Sequence, residues 1–173
     1  MFTKSRVVLA AFLLPATLFL SSCSYSTNFV IVNKSKSPVE VQYILNYVQR
    51  NDPSSRLSMY DMPTKKALED LEDYDVAWRD LRYDEYRYDE STRTVTVTLP
   101  PDEVLRVART FNYSGHSSER DGFFRIEEIR ITGANGSVCY EGKQAQYQFI
   151  EQDMNLYTMT YFGWGDKSNA TGN

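Results

Sequence analysis

The residues whose types could do chemistry are few and scattered along the chain. His116 is the only histidine, which excludes the common multi-histidine zinc sites. In "SGHSSERDG" it stands beside Ser114, Ser117 and Ser118, types that together offer histidine-assisted attack by a serine hydroxyl. No G-x-S-x-G elbow frames any of them, and a solvated loop histidine is the competing reading. Glu127 and Glu128 in "RIEEIR" are two carboxylates of the kind a glycosidase uses as acid and base. Neighbours on a regular strand point to opposite faces, so only a bulge would bring this pair together. The acids from Glu69 to Asp75 lack the D-x-D-x-D-G spacing of a calcium loop and read as solvated surface. Cys139, in "GSVCYEG", reads as a small buried residue on a strand rather than a nucleophile or an intermolecular bridge. With no Walker loop and no G-x-G-x-x-G, nucleotide binding has no support, and neither a metal nor a cofactor is expected.

Aromatic residues offer recognition rather than catalysis. "RYDEYRYDE" repeats four letters at Arg82–Glu85 and Arg87–Glu90 and carries Tyr83, Tyr86 and Tyr88. An acidic, tyrosine-rich patch suits a basic protein partner, or a glycan stacked on the rings; the competing reading is a solvated face with local ion pairs, on a frayed helix end or a loop. Trp164 in "FGWGD" is a further candidate contact, set against a role capping the end of a core.

The first residues concern location. "MFTKSR" carries Lys4 and Arg6 and no acid, and the uncharged apolar run Val7–Leu20 follows, ending in Ser21 and Ser22. A basic start, a short apolar stretch and small residues are the marks of a secretory signal. The run is shorter than the roughly 17–25 residues of a spanning helix, and Pro15 interrupts it. Leu20-Ser21-Ser22-Cys23 resembles the lipobox of bacterial lipoproteins. The resemblance implies that residues 1–22 are a signal peptide cut before Cys23, that the Cys23 sulfur is diacylated (palmitate being typical) and that the new amino group is acylated. Two or more acyl chains hold a protein stably at a bilayer, where one holds only reversibly. Ser24 stands where an Asp would mark retention at the inner membrane, so the resemblance implies a lipid anchor in the outer membrane of a bacterial envelope. The other reading of the same residues is an ordinary secretory signal that leaves Cys23 free.

About 150 residues remain, enough for one domain with a proper core. The chain has 19 basic and 23 acidic residues, and without Lys4 and Arg6 its formal charge falls from −4 to −6. The absence of a Lys/Arg cluster to neutralise phosphates argues against a nucleic-acid partner, and none is expected. Thirteen Tyr and nine Phe favour sheets.

The elements that must position these residues are mostly strands. On the lipoprotein resemblance, residues 23–27 are a lipidated cysteine and a linker so short that the domain is expected to sit close to the membrane. The domain itself covers 28–162, and 163–173 is a polar tail. The continuous apolar run Phe29–Val32 predicts a strand buried on both faces. Val39, Val41, Tyr43 and Leu45 alternate with polar residues, as do Val95, Val97 and Leu99. "FFRIEEIRIT" changes phase between Ile126 and Ile129, which predicts a bulge at Glu127–Glu128. "GANG" predicts a hairpin into "SVCYEG". "AQYQFI" and "LYTMTYF" read as two further strands. Between them stands one exception: Leu68, Leu71, Tyr74, Trp78 and Leu81 recur at three- and four-residue spacing, predicting an amphipathic helix over about 64–82. The expected fold is a mainly β, antiparallel β-sandwich of about eight strands with that one inserted helix. The expected function is non-enzymatic: a membrane-tethered protein-interaction or envelope-assembly module, facing the periplasm or the outside. Rival readings are a surface carbohydrate-binding lipoprotein and a small envelope hydrolase.

Overall fold

A computed structural model describes residues 26–46, 57, 62–73, 76–111, 124–153 and 155–163. Cys23 and the residues before it, His116 with its neighbouring serines, Trp164 and most of the tail lie outside the described residues. Among the described residues no helix is long and apolar enough to cross a membrane.

The protein is mainly β, with two mostly antiparallel sheets forming a sandwich. The strands are β1 (Ser26–Asn33), β2 (Val39–Leu45), β3 (Thr64–Ala67), β4 (Arg79–Asp80), β5 (Tyr86–Asp89), β6 (Thr94–Leu99), β7 (Glu103–Phe111), β8 (Ile126–Gly133), β9 (Gly136–Glu141), β10 (Ile150–Asp153) and β11 (Leu156–Tyr161). The only helix among the described residues is α1 (Lys143–Tyr147). One sheet runs β10-β11-β1-β7-β3-β4 and the other β5-β6-β2-β8-β9. Every pairing is antiparallel except that of β1 with β11.

The apolar run Phe29–Val32 is explained by its central position. Phe29 and Ile31 enter the core between the sheets, while Val30 and Val32 lie on the outer face in a second apolar cluster with Val104 and Leu156. All four residues are buried. Phe29 stacks on Tyr157 with ring centroids 5.2 Å apart and meets Phe124 and Phe149 edge-on at 5.2 and 5.5 Å. Against it, β2, β6 and β8 contribute Val41, Tyr43, Val95, Val97, Ile129 and Ile131. The bulge falls where the phase change requires it. Ile44 pairs with Glu128 and Leu45 with Ile126, leaving Glu127 as the extra residue and turning both Ile126 and Ile129 inward. The Glu127 carbonyl accepts the Gly142 N–H at 2.7 Å, at the entry to α1. Gly142 has φ +51°, a conformation that favours glycine.

Asn33 joins the two sheets at the end of β1. Its side chain is fully buried and fully engaged: Nδ2 donates to the carbonyls of Leu99 (2.9 Å) and Ser37 (3.1 Å), and Oδ1 accepts from the Ser35 N–H and hydroxyl.

Two expected elements differ. The 64–82 helix does not form. Residues 64–67 instead pair with β7, Thr64 opposite Arg106 and Ala67 opposite Glu103; a single 3-10 turn, Leu68–Asp70, follows, and β4 pairs back on β3. The apolar stripe still finds burial but divides between two places. Leu68, Leu71 and Trp78 cover Val30, Val32 and Val104 on the outer face, and Leu81 enters the main core; Tyr74 lies outside the described residues. Strand pairing at the β7 edge overrides a local helical pattern because it satisfies long-range backbone bonds as well as burial. Conversely, the start of "AQYQFI" is helical, with Ala145 buried and Tyr147 exposed.

Candidate functional site

A groove of about 540 Å³ lies on the outer face of the six-stranded sheet. Its floor is Val32 of β1 with Leu156, Thr158 and Thr160 of β11, residues of alternate parity that share one face. From Leu156 to Thr160 the floor runs about 13 Å, the span of four strand residues. One wall is the turn after β3, which presents Leu68 and Leu71 to the floor and Glu69 and Glu72 to the rim. Gln152 and Asp153 of β10 stand opposite, and Lys34 closes one end.

The wall is held by backbone bonds and by packing beneath it. The Leu68 N–H donates to Asp102 at 2.9 Å, Leu71 to Leu68 at 3.1 Å and Asp73 to Asp70 at 3.0 Å. Lys66 donates its ammonium to the Asp73 carbonyl. Trp78 lies over two cations, with Arg106 Cζ 5.0 Å and Lys66 Nζ 5.7 Å from its ring centroid. Burial, then the charge of Arg109, lowers the Arg106 pKa to about 10, so it stays charged at neutral pH. With these cations engaged beneath the wall, the rim carries the free charge. Glu69, Glu72 and Lys34 are exposed, and none has a side-chain hydrogen bond or ion pair among the described residues. An apolar floor under an acidic rim can bind an apolar group attached to a cation. Among the described residues it holds no metal-ligating set.

The groove was not anticipated from sequence. Its acids stood out as a run, but their reading as helix surface concealed the apolar floor on β1 and β11.

The tyrosines of the RYDE repeat separate. The first copy forms a turn, with the Arg82 N–H donating to Glu85 Oε2 at 2.9 Å and the Glu85 N–H to the Arg82 carbonyl. The second copy enters β5 rather than a frayed helix or a loop. Tyr83 is 84 % exposed; Tyr86 is buried, and Tyr88 packs against the core. Tyr83 thus offers a free ring face, and Tyr86 reaches it only as a tilted neighbour at 6.0 Å.

The carboxylates of the bulge have separate partners, Glu127 pairing with Arg93 at 3.7 Å and Glu128 with Arg130 at 3.1 Å. Cys139 is exposed, contrary to its expected burial. Val138 and Tyr140 turn inward on β9, which places Cys139 on the outer face opposite Arg130. Its sulfur lies within 4.8 Å of carboxylate oxygens of Glu128 and Glu141, a set whose types suit a metal ion. Arg130 already supplies that cluster with a cation. Partial burial and then Glu128 push the thiol pKa up, which disfavours the thiolate.

Compared with protein-family models, curated proteins and solved structures, the chain matches none.

Proposed function

We propose that this protein is a lipid-anchored lipoprotein of the bacterial outer membrane whose sandwich domain works without catalysis, as a tethered module that holds a protein partner. The observation that carries this reading is the relation between β1 and the lipobox. β1 begins at Ser26, three residues beyond Cys23, a reach of about 10 Å. It then runs through the middle of the six-stranded sheet to Asn33, about 23 Å further on, where Lys34 and the Leu68–Glu72 wall of the groove stand. An anchor on Cys23 would therefore seat the Ser26 end at the bilayer and hold the acidic rim away from it.

Tyr83 supports a second reading, a surface lipoprotein that stacks a sugar on this exposed ring. Protease shaving of intact and permeabilised cells separates the two. Cleavage only after permeabilisation, with crosslinks to envelope proteins, supports the assembly module; cleavage in intact cells favours the glycan reading. A Cys23→Ser protein that stays as firmly membrane-bound as its parent overturns the anchor.

A further inference from the structure

We infer that the groove beside Glu69 and Glu72 binds an extended, basic–apolar segment of a partner polypeptide. In it an apolar side chain rests on Val32 beside Leu68 and Leu71, and a flanking Lys or Arg meets the two glutamates. This inference rests on the interaction-module reading and gives that module its ligand chemistry.

Three observations select this occupant. The floor is long rather than deep, about four strand residues from Leu156 to Thr160, which fits an extended segment better than a compact small molecule. Val32 with Leu68 and Leu71 makes one apolar spot beside Thr160, and Leu156 lies at the other end of the floor beyond Thr158, so one large apolar side chain is accommodated at the wall and the rest of the segment runs over hydroxyls. The rim supplies complementary charge. Glu69 and Glu72 are exposed carboxylates with no ion-pair partner among the described residues, whereas the nearby Lys66 is already engaged with Asp73 and Trp78. The excess of acids over bases in the whole chain adds long-range attraction for a basic partner.

The test is fluorescence anisotropy with the full-length chain in detergent and two labelled probes, an unstructured peptide centred on Lys-Leu-Lys and its Glu-Leu-Glu counterpart. The wild-type chain binds the basic peptide in preference to the acidic one, and added salt weakens binding. A Glu69→Lys/Glu72→Lys variant with an unchanged melting temperature loses about tenfold in affinity for the basic peptide, as expected for two exposed charge pairs turned repulsive. A Glu128→Lys/Glu141→Lys variant, altered on the opposite sheet, keeps wild-type binding. Equal binding of both peptides, no binding of either, or equal loss in the two variants overturns the assignment. Crosslinking in intact envelopes separates this from the broader reading. If the Glu69→Lys/Glu72→Lys chain still captures the wild-type partner, the module stands and the groove is not its binding site. If even the wild-type chain captures none, both fall.

Discussion

One carboxylate oxygen of Glu85 lies 2.8 Å from Arg79 Nη1 and also accepts the backbone N–H of Arg82, fastening β4 to the turn that carries Tyr83. The hydrogen bond from Arg79, followed by that from the Arg82 backbone, lowers the Glu85 pKa to about 2. A carboxylate depressed on folding adds stability that is fully present above its unfolded pKa and is lost as the pH falls through its folded one. Glu85 is therefore expected to contribute a pH-dependent loss of stability as the pH falls from about 4.5 toward 2. Denaturant melts across that range should show a shallower slope for Glu85→Gln than for the wild type. Identical slopes would assign the acid sensitivity to other groups.

Gly133 ends β8 where a Cβ would stand 2.8 Å from the Tyr161 hydroxyl, with the next atoms at an ordinary 3.6 Å. Gly133→Ala is expected to destabilise by about 1–2 kcal/mol through overpacking. Tyr161→Phe removes the one clashing atom, so the same substitution in that background should cost clearly less. A double-mutant cycle showing simple additivity would place the strain elsewhere.

Lys65 points between the sheets, donating to the Thr98 carbonyl at 2.7 Å and pairing with Glu103 at 3.1 Å. Lys65→Ala leaves a carbonyl and a half-buried carboxylate without their cation, an expected loss of about 2 kcal/mol, moderated because Glu103 is partly solvated. Thermal melts should show Lys65→Met/Glu103→Gln recovering part of that loss. Failure to recover any would mean that the cost lies with the Thr98 bond.

The Cys139 thiol, exposed but raised in pKa by partial burial and by Glu128, should react with maleimide at pH 8 more slowly than an unhindered model thiol. Glu128→Gln should speed the reaction, and Arg130→Ala, which removes a group that lowers the pKa, should slow it. The reverse order of the two variants would show that access rather than ionisation sets the rate.

Strands with one wet face were legible because alternation has a single interpretation there. Val39–Leu45 and Thr94–Leu99 read directly, and the phase change at Ile126–Ile129 revealed the bulge. The parity of Val138 and Tyr140 also carried the outward position of Cys139, although the weight given to cysteine burial obscured it. Two segments misled for physical reasons. Ala145 and Phe149, four residues apart, satisfy a period of two and a period of 3.6 equally well, so the exposed Tyr147 between them could not be assigned from spacing. Leu68, Leu71, Trp78 and Leu81 have helical spacing but serve two separate apolar clusters, a division that depends on β3 pairing with a strand some forty residues away. The groove follows from that pairing, which is why it was invisible in the sequence.

The parallel pairing of β1 with β11 sets a timetable. Asn28 finds its neighbour only when Leu156 arrives, so the sheet holding the first strand cannot close until nearly the whole chain has emerged. Contacts of such long sequence separation form slowly, because a large loop must close before they stabilise anything. The other sheet holds a local nucleus in the β8–β9 hairpin, joined by Ala134 and Asn135 alone. During synthesis the apolar run Phe29–Val32 can pair with β7 first, but its other edge stays open until β11 arrives, a point at which a chaperone would help.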